Sequence, residues 1–132
     1  MSERELHPVL TPERRRALTE QGIDLFHRGE YFAAHEAWEE IWRSTTPEPR
    51  DLFQGLVQLA AAFHHLDERR RPDVARRVLA KARRRLATVA PAAAGLDVTA
   101  LLAELAVWDA WLAAPVGTPP PSPRLRWLDS VE

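Results

Sequence analysis

One helical segment carries residues with the types and spacing of a metal or acid–base site. His35, Glu36 and Glu39 form the pattern H-E-x-x-E. His35 and Glu39 fall one helical turn apart on the same side, where an imidazole and a carboxylate can bind one divalent metal. Glu36, next to the first ligand, would then act as a general base on metal-bound water.

A second polar set lies on the next helical segment. No charged residue occurs from Leu52 to Leu66, and the polar residues there are Gln54, Gln58, His64 and His65. The Pro-rich turn before this segment predicts that the two segments pack as antiparallel neighbours. Residues that face each other then have numbers that sum to about 95–97, so His35 faces the region of His64 and Trp42 faces Gln54.

These positions support two interpretations. In the first, His35, Glu39 and His64 are metal ligands. His64 is preferred to His65 as the third ligand, although a rotation of the helix by about 100° would bring His65 to that position instead. In the second, His35, Glu39, Gln54 and Gln58 form a buried hydrogen-bond network that fixes the register of the two helices. Gln54, Gln58 and Trp42 are the residues expected to contact a ligand. His7 and His27 are expected at the surface.

A basic segment follows. Residues 69–85 contain nine Arg or Lys and one acidic residue, Asp73, whereas the whole chain has a net charge of -1. The segment therefore carries +8 and the other 115 residues carry -9. Such a helix can bind nucleic-acid phosphates. It can equally form surface ion pairs with the acidic residues Glu30, Glu36, Glu39, Glu40, Glu48 and Asp51, which is the favoured interpretation because no nucleic-acid motif accompanies it.

The elements that must position these residues are helices. No run of Val, Ile or Thr alternates with polar residues, and Pro and Gly divide the chain into five helical segments, near 11–28, 30–44, 50–68, 72–90 and 97–112. We expect an all-α fold, a compact bundle of about five helices around a central buried antiparallel hairpin. Residues 1–114 would form one helical domain, and 115–132 a Pro-rich tail whose Trp127 and Leu128 dock on the bundle or stay free.

Composition excludes several classes of protein. The chain has 132 residues and no cysteine, which rules out disulfides, thiolate metal clusters and a cysteine nucleophile. No apolar run reaches the length of a membrane span, and MSERELHP lacks the apolar core of a secretory signal. We therefore expect a cytoplasmic protein that does not interact with membranes.

Two strings carry a family resemblance. FHRGEYFAAHEAWEEIWR and LFQGLVQLAAAFHHL resemble the two helical motifs of the domain-of-unknown-function family numbered 309, small helical prokaryotic proteins. The resemblance covers roughly residues 22–88. It implies an all-α bundle and a family sometimes labelled as predicted metal-dependent hydrolases, without an established reaction or substrate.

The function expected from the sequence is a structural or binding module that forms homo-oligomers, with a His/Glu/Gln cluster between the second and third helices and an unknown small-molecule ligand. The first alternative is a metal-dependent hydrolase, which would need a divalent metal as cofactor, with His35, Glu39 and His64 as ligands and Glu36 as base. The second is an electrostatic nucleic-acid binder through the fourth helix.

Overall fold

The computed structural model describes residues 9–44 and 48–128. Its elements are α1 (Pro12–His27), α2 (Tyr31–Trp42), α3 (Arg50–Asp67), α4 (Pro72–Ala87), β1 (Ala92–Ala93), β2 (Leu96–Asp97) and α5 (Val98–Ala113). The five predicted helices and the bundle are confirmed. His7 and Pro47, for which the sequence predicted a surface position and a helix stop, lie outside the described residues. No helix in the described ranges has the length and apolarity to cross a membrane.

Side-chain caps explain where two helices begin. The Thr11 side chain accepts a hydrogen bond from the Arg14 N–H at 3.0 Å, and Pro12 follows as the first helical residue. At the start of α5, the Asp97 carboxylate accepts from the Ala100 N–H at 2.9 Å. Gly29 ends the α1 turn with a φ of 80°, a conformation that glycine adopts without steric cost.

Helix α3 is the centre of the bundle. It packs against α2 on one side and α4 on the other, while α1 packs on α2 and α5 on α4. Leu52, Leu56 and Leu59 are fully buried. Phe32 of α2 and His64 of α3 have ring centroids 5.4 Å apart, and their numbers sum to 96, so the predicted antiparallel register is confirmed.

Aromatic rings connect the helices through the core. Phe26 of α1 lies 4.9 Å from Tyr31, 6.0 Å from Trp38 and 5.6 Å from Phe63, measured between ring centroids. The Phe63 ring in turn contacts the Trp108 ring of α5, with centroids 5.0 Å apart. Trp38 is fully buried and donates its indole N–H to the Thr19 carbonyl at 3.3 Å, as expected of a core residue.

A short β-hairpin and the tail extend the expected fold. Ala92 pairs with Asp97 and Ala93 with Leu96, across a turn in which Ala94 and Gly95 both have positive φ. The tail adds a third extended segment, because the Asp97 N–H donates to the Arg126 carbonyl and the Leu128 N–H to the Gly95 carbonyl. The sequence did not predict this hairpin, since two-residue alanine strands lack the alternation that marks a strand.

The Pro-rich tail packs on the bundle as far as Trp127. Pro123 is fully buried and Leu125 is 5% exposed. Trp108 donates its indole N–H to the Pro121 carbonyl at 2.8 Å, and the Arg16 guanidinium lies 3.5 Å from the Trp127 ring centroid. Of the two docking residues considered from the sequence, Trp127 docks and Leu128 stays 55% exposed.

Candidate functional site

The predicted pair His35 and Glu39 is in contact. Their Nε2 and Oε2 atoms lie 3.3 Å apart on α2, and both side chains are about three-quarters buried. The other carboxylate oxygen of Glu39 contacts the Arg43 guanidinium at 2.6 Å. Sequence reasoning missed Arg43, although its spacing of four residues from Glu39 is the signal that would have found it. Glu39 is therefore held between an imidazole and a guanidinium of its own helix.

Phe32 contacts both of the predicted histidine ligands. Its ring stacks on the His35 ring, with centroids 6.0 Å apart and an angle of 8° between the ring planes. It also contacts the His64 ring of α3. His64 instead lies near Glu68, with 3.6 Å between Nδ1 and Oε2, just beyond hydrogen-bond distance. Within the described ranges, no group of three or more His, Asp or Glu residues is placed to hold a metal ion. The structure thus joins His35 to Glu39 but does not bring His64 to them.

Glu36, the predicted base, lies on the same side of α2 as Glu39 and Arg43, and all three line one depression. Glu36 is exposed, and this open depression of about 620 Å³ lies between α2 and the start of α1, where Leu10, Arg14 and Glu40 also line it. Arg14 and Glu40 form an exposed ion pair of 3.5 Å at this depression. Glu36 therefore belongs to an acidic outer edge of α2.

The hydrogen-bond network expected between α2 and α3 is not formed among the described residues: His35 and Glu39 are in contact within α2, but neither is hydrogen-bonded to Gln54 or Gln58. Among the described residues, six side-chain polar atoms are buried without a hydrogen-bond partner. Five of them belong to α2 and α3: His35 Nδ1, Trp42 Nε1, Gln58 Oε1, His64 Nδ1 and His65 Nδ1. The Trp42 ring is covered by the Arg50 guanidinium, 4.9 Å from its centroid. The predicted binding residues Gln58 and Trp42 therefore have unused hydrogen-bonding capacity, and Gln54 beside them is half-buried.

Two histidines have lowered pKa values. Burial is the main cause of the lowered pKa of His65, and the neighbouring His64, Arg69 and Arg71 lower it further. Burial also lowers the pKa of His27, with a second contribution from the charge of Arg124. His27 is not a free surface residue as the sequence suggested. It is partly buried beneath the tail, where its Nε2 accepts the Leu125 N–H at 3.0 Å.

The segment that carries these residues matches a known family model. Residues 19–78 match a domain of unknown function, DUF309. The resemblance predicted from the two helical strings is thereby confirmed. Comparisons with curated proteins and with solved structures give no match. The match to DUF309 runs from the middle of α1 into α4, so it includes every predicted site residue.

The arginine-rich helix α4 is paired at some positions and open at others. Arg76 and Arg83 contact the Asp109 carboxylate of α5 at 3.2 and 3.3 Å, and Arg85 contacts Asp51 at 3.2 Å. Of the acidic partners suggested from the sequence, Asp51 is the one that pairs with α4 in the described chain. Asp109 was missed because it lies on the far side of the β-hairpin in sequence.

The cations of α4 that border α3 form a separate feature. Lys81, Arg84 and Arg85 line an open depression of about 520 Å³ together with Gln58 and Thr88. Lys81 and Arg84 have no ion-pair partner within residues 9–44 and 48–128. α3 is therefore bordered by basic residues on the α4 side, whereas the acidic residues of α2 line the depression beside the start of α1.

Proposed function

We propose that the protein is a non-catalytic binding module that self-associates through the open face of α3. This open face consists of half-buried, uncharged residues at helical spacing: Gln54, Val57, Gln58, Ala61, His64 and His65. The observation that carries the proposal is the concentration of buried, unpartnered polar atoms on α3 and the adjoining side of α2.

Unpartnered polar atoms give this face a reason to bind. A buried polar group without a hydrogen bond costs about 1–3 kcal/mol. Gln58, His64 and His65 lie within two turns of one another on α3, and each has such an atom. A partner that supplies donors and acceptors along α3 would recover part of this cost if these half-buried side chains turn outward on binding. An amide and two imidazoles can each donate and accept, so two copies of the same face can satisfy one another.

An exposed aromatic ring borders the open face. Phe32 is 52% exposed, although it stacks on His35 and contacts His64. Large aromatic side chains at the centre or edge of an interface often contribute most of its binding energy. Burial of Phe32 against a partner would add apolar area to the interface.

Charge selects a second copy as the partner. Glu36 and Glu40 lie on the exposed side of α2, where Glu40 contacts Arg14, and Lys81 and Arg84 line the α4 side of α3. A two-fold axis parallel to α3 places the exposed side of α2 in one copy opposite the α4 side of α3 in the other. Both sides then meet opposite charge, an arrangement that favours association and fixes orientation.

Neither alternative function is favoured by the geometry. Glu39 is engaged by Arg43, and no three possible ligands come together within the described residues, which argues against a three-ligand hydrolase centre. The carboxylates on the exposed side of α2 would repel a nucleic-acid backbone.

The test is a charge exchange followed by sedimentation velocity. We expect the wild-type protein to be a dimer, and we expect both E36K/E40K and K81E/R84E to be monomers. An equimolar mixture of the two variants should form dimers, because each then meets opposite charge across the interface. A control variant, E13K/E20K, changes the same number of charges on α1 and should remain dimeric.

Two results would overturn the proposal. One is a wild-type protein that stays monomeric at its highest soluble concentration. The other is a dimer that neither double variant weakens, which would place the interface elsewhere. Circular dichroism of each variant separates loss of the interface from loss of folding.

A further inference from the structure

Another open cavity lies near the end of α3 and shares no residue with the open face of α3. It has a volume of about 430 Å³ and is bounded by α3, the start of α2, α5 and the Pro-rich tail. Its size falls within the range of small-molecule pockets. The walls include Tyr31, Leu66, Trp111 and Pro119, and two charged residues, Asp67 and Arg70, lie along one side.

Arg70 adopts a backbone conformation that its side chain disfavours. Its φ is 54°, in the left-handed region, and the next residue, Arg71, donates its N–H to the His65 carbonyl at 2.9 Å. This is the helix-ending turn in which glycine is the usual residue, because a Cβ there costs about 1 kcal/mol or more. A non-glycine residue held in this conformation, with no side-chain contact that offsets the cost, often has a role in binding.

No such compensating contact is found within the described part of the chain. Arg70 is exposed and has neither an ion pair nor a hydrogen bond there, and it forms none with Asp67, three residues earlier. The guanidinium and the carboxylate are therefore both free to contact a ligand at the same side of the cavity. Opposite charges three residues apart in a cavity of mixed polar and apolar lining match a ligand with a carboxylate and an ammonium group close together.

The rest of the cavity is suited to an apolar group. Tyr31 is only 9% exposed, with its ring against Phe26 and Phe63, and its hydroxyl has no hydrogen-bond partner among the described residues. The half-buried side chains of Leu66 and Trp111 and the ring of Pro119 add apolar surface. Apolar walls with a few convergent polar groups are the usual make-up of a ligand site.

We infer that this cavity binds a free α-amino acid with an apolar side chain, with its carboxylate on Arg70, its ammonium on Asp67 and its side chain against Leu66 and Trp111. The inference is independent of self-association, because it depends on a different surface.

Isothermal titration calorimetry with L-phenylalanine, phenylalaninamide and N-acetylphenylalanine tests the assignment. L-Phenylalanine should bind to the wild-type protein. The amide lacks the carboxylate, the acetylated compound lacks the ammonium, and each should bind at least about tenfold more weakly, the loss expected for one charge-assisted hydrogen bond.

The variant Arg70→Gly separates a binding role from a structural one. Glycine relieves the backbone strain, so the melting temperature should stay the same or rise while affinity for L-phenylalanine falls at least about tenfold. Arg70→Asn, which also tolerates this conformation, should behave in the same way. The matched control Arg69→Ala changes an exposed arginine that does not line the cavity and should keep full affinity.

Three results would overturn the inference: no binding of L-phenylalanine to the wild-type protein, equal binding of the amide, or unchanged affinity in Arg70→Gly.

Discussion

His27 of α1 and Leu125 of the tail are joined by a hydrogen bond of 3.0 Å across 98 residues of sequence, in which the Leu125 N–H donates to His27 Nε2. The contact requires a neutral imidazole, since a protonated ring has no acceptor nitrogen. Burial and the charges of Arg124 and Arg126 lower the pKa of His27, against opposing contributions from Asp24 and Glu104. The environment of His27 thus favours the protonation state that holds the tail.

Stability should therefore decrease in mild acid. The pKa of His27 is lowered on folding, so the unfolded chain binds a proton more readily than the native protein. The contribution of neutral His27 to the free energy of unfolding is fully present above a pH of about 6.5. It is lost as the pH falls through the pKa that His27 has in the folded protein. His65 has a lowered pKa as well and adds to the same trend. Urea unfolding measured from about pH 7.5 to about pH 5 should show this loss.

Two glutamine variants separate the histidines. Glutamine can accept the Leu125 N–H and does not titrate, so His27→Gln should flatten part of the pH dependence. His65→Gln should flatten another part. In wild-type protein, the amide resonance of Leu125 should titrate, and it should stop titrating in His27→Gln but not in His65→Gln. A Leu125 resonance that titrates equally in both variants would contradict the assignment.

Loss of a buried tail side chain should destabilise the whole bundle. Leu125 is 5% exposed, and Leu125→Ala should lower the free energy of unfolding by about 2–3 kcal/mol. Leu128 is the matched control, because it is the same residue type three positions later and is 55% exposed. Leu128→Ala should change stability by less than about 0.5 kcal/mol. Equal effects in chemical denaturation would mean that the tail is not docked.

The helices could be predicted from the sequence because local signals define them. Thr11-Pro12 and Asp97 are strong start signals, and both cap their helices as expected. The packing register of α2 and α3 was also accessible, since a short turn between two apolar stripes leaves few ways to pair them. The path of the tail was not, because the His27–Leu125 contact depends on a chain reversal that no local pattern encodes.

The contact between two of the candidate residues could be predicted from the sequence, but their surroundings could not. Helical spacing places His35 next to Glu39, and the two are in contact. It could not show that Arg43 binds the second oxygen of Glu39 or that Phe32 contacts both His35 and His64, because both depend on rotamers. Arg70 was counted as one of nine surface cations, and its left-handed backbone became visible only in the structure.

A glycine in the middle of α1 should tolerate no side chain. At Gly22 an added Cβ would overlap the Trp38 indole, which is fully buried. Gly22→Ala should therefore lower the free energy of unfolding by about 2–3 kcal/mol, although alanine is the better helix former. Gly29 has open space around it but a φ of 80°, so Gly29→Ala should cost only about 1–2 kcal/mol. A Gly22→Ala protein more stable than wild type would disprove this packing of α1 on Trp38.

Addition of divalent metal should leave the melting temperature unchanged. A ligand that binds the native state raises stability, so a metal site of useful affinity would give a measurable shift. His35 and Glu39 alone offer two ligands, one of which already contacts Arg43, whereas structural and catalytic zinc sites use at least three protein ligands. We expect no shift with Zn²⁺ or Mg²⁺ for the untagged wild-type protein or for H35A/E39A. A shift in wild type that disappears in H35A/E39A would mean that α2 and α3 rearrange to bring His64 to the pair, and it would restore the hydrolase alternative.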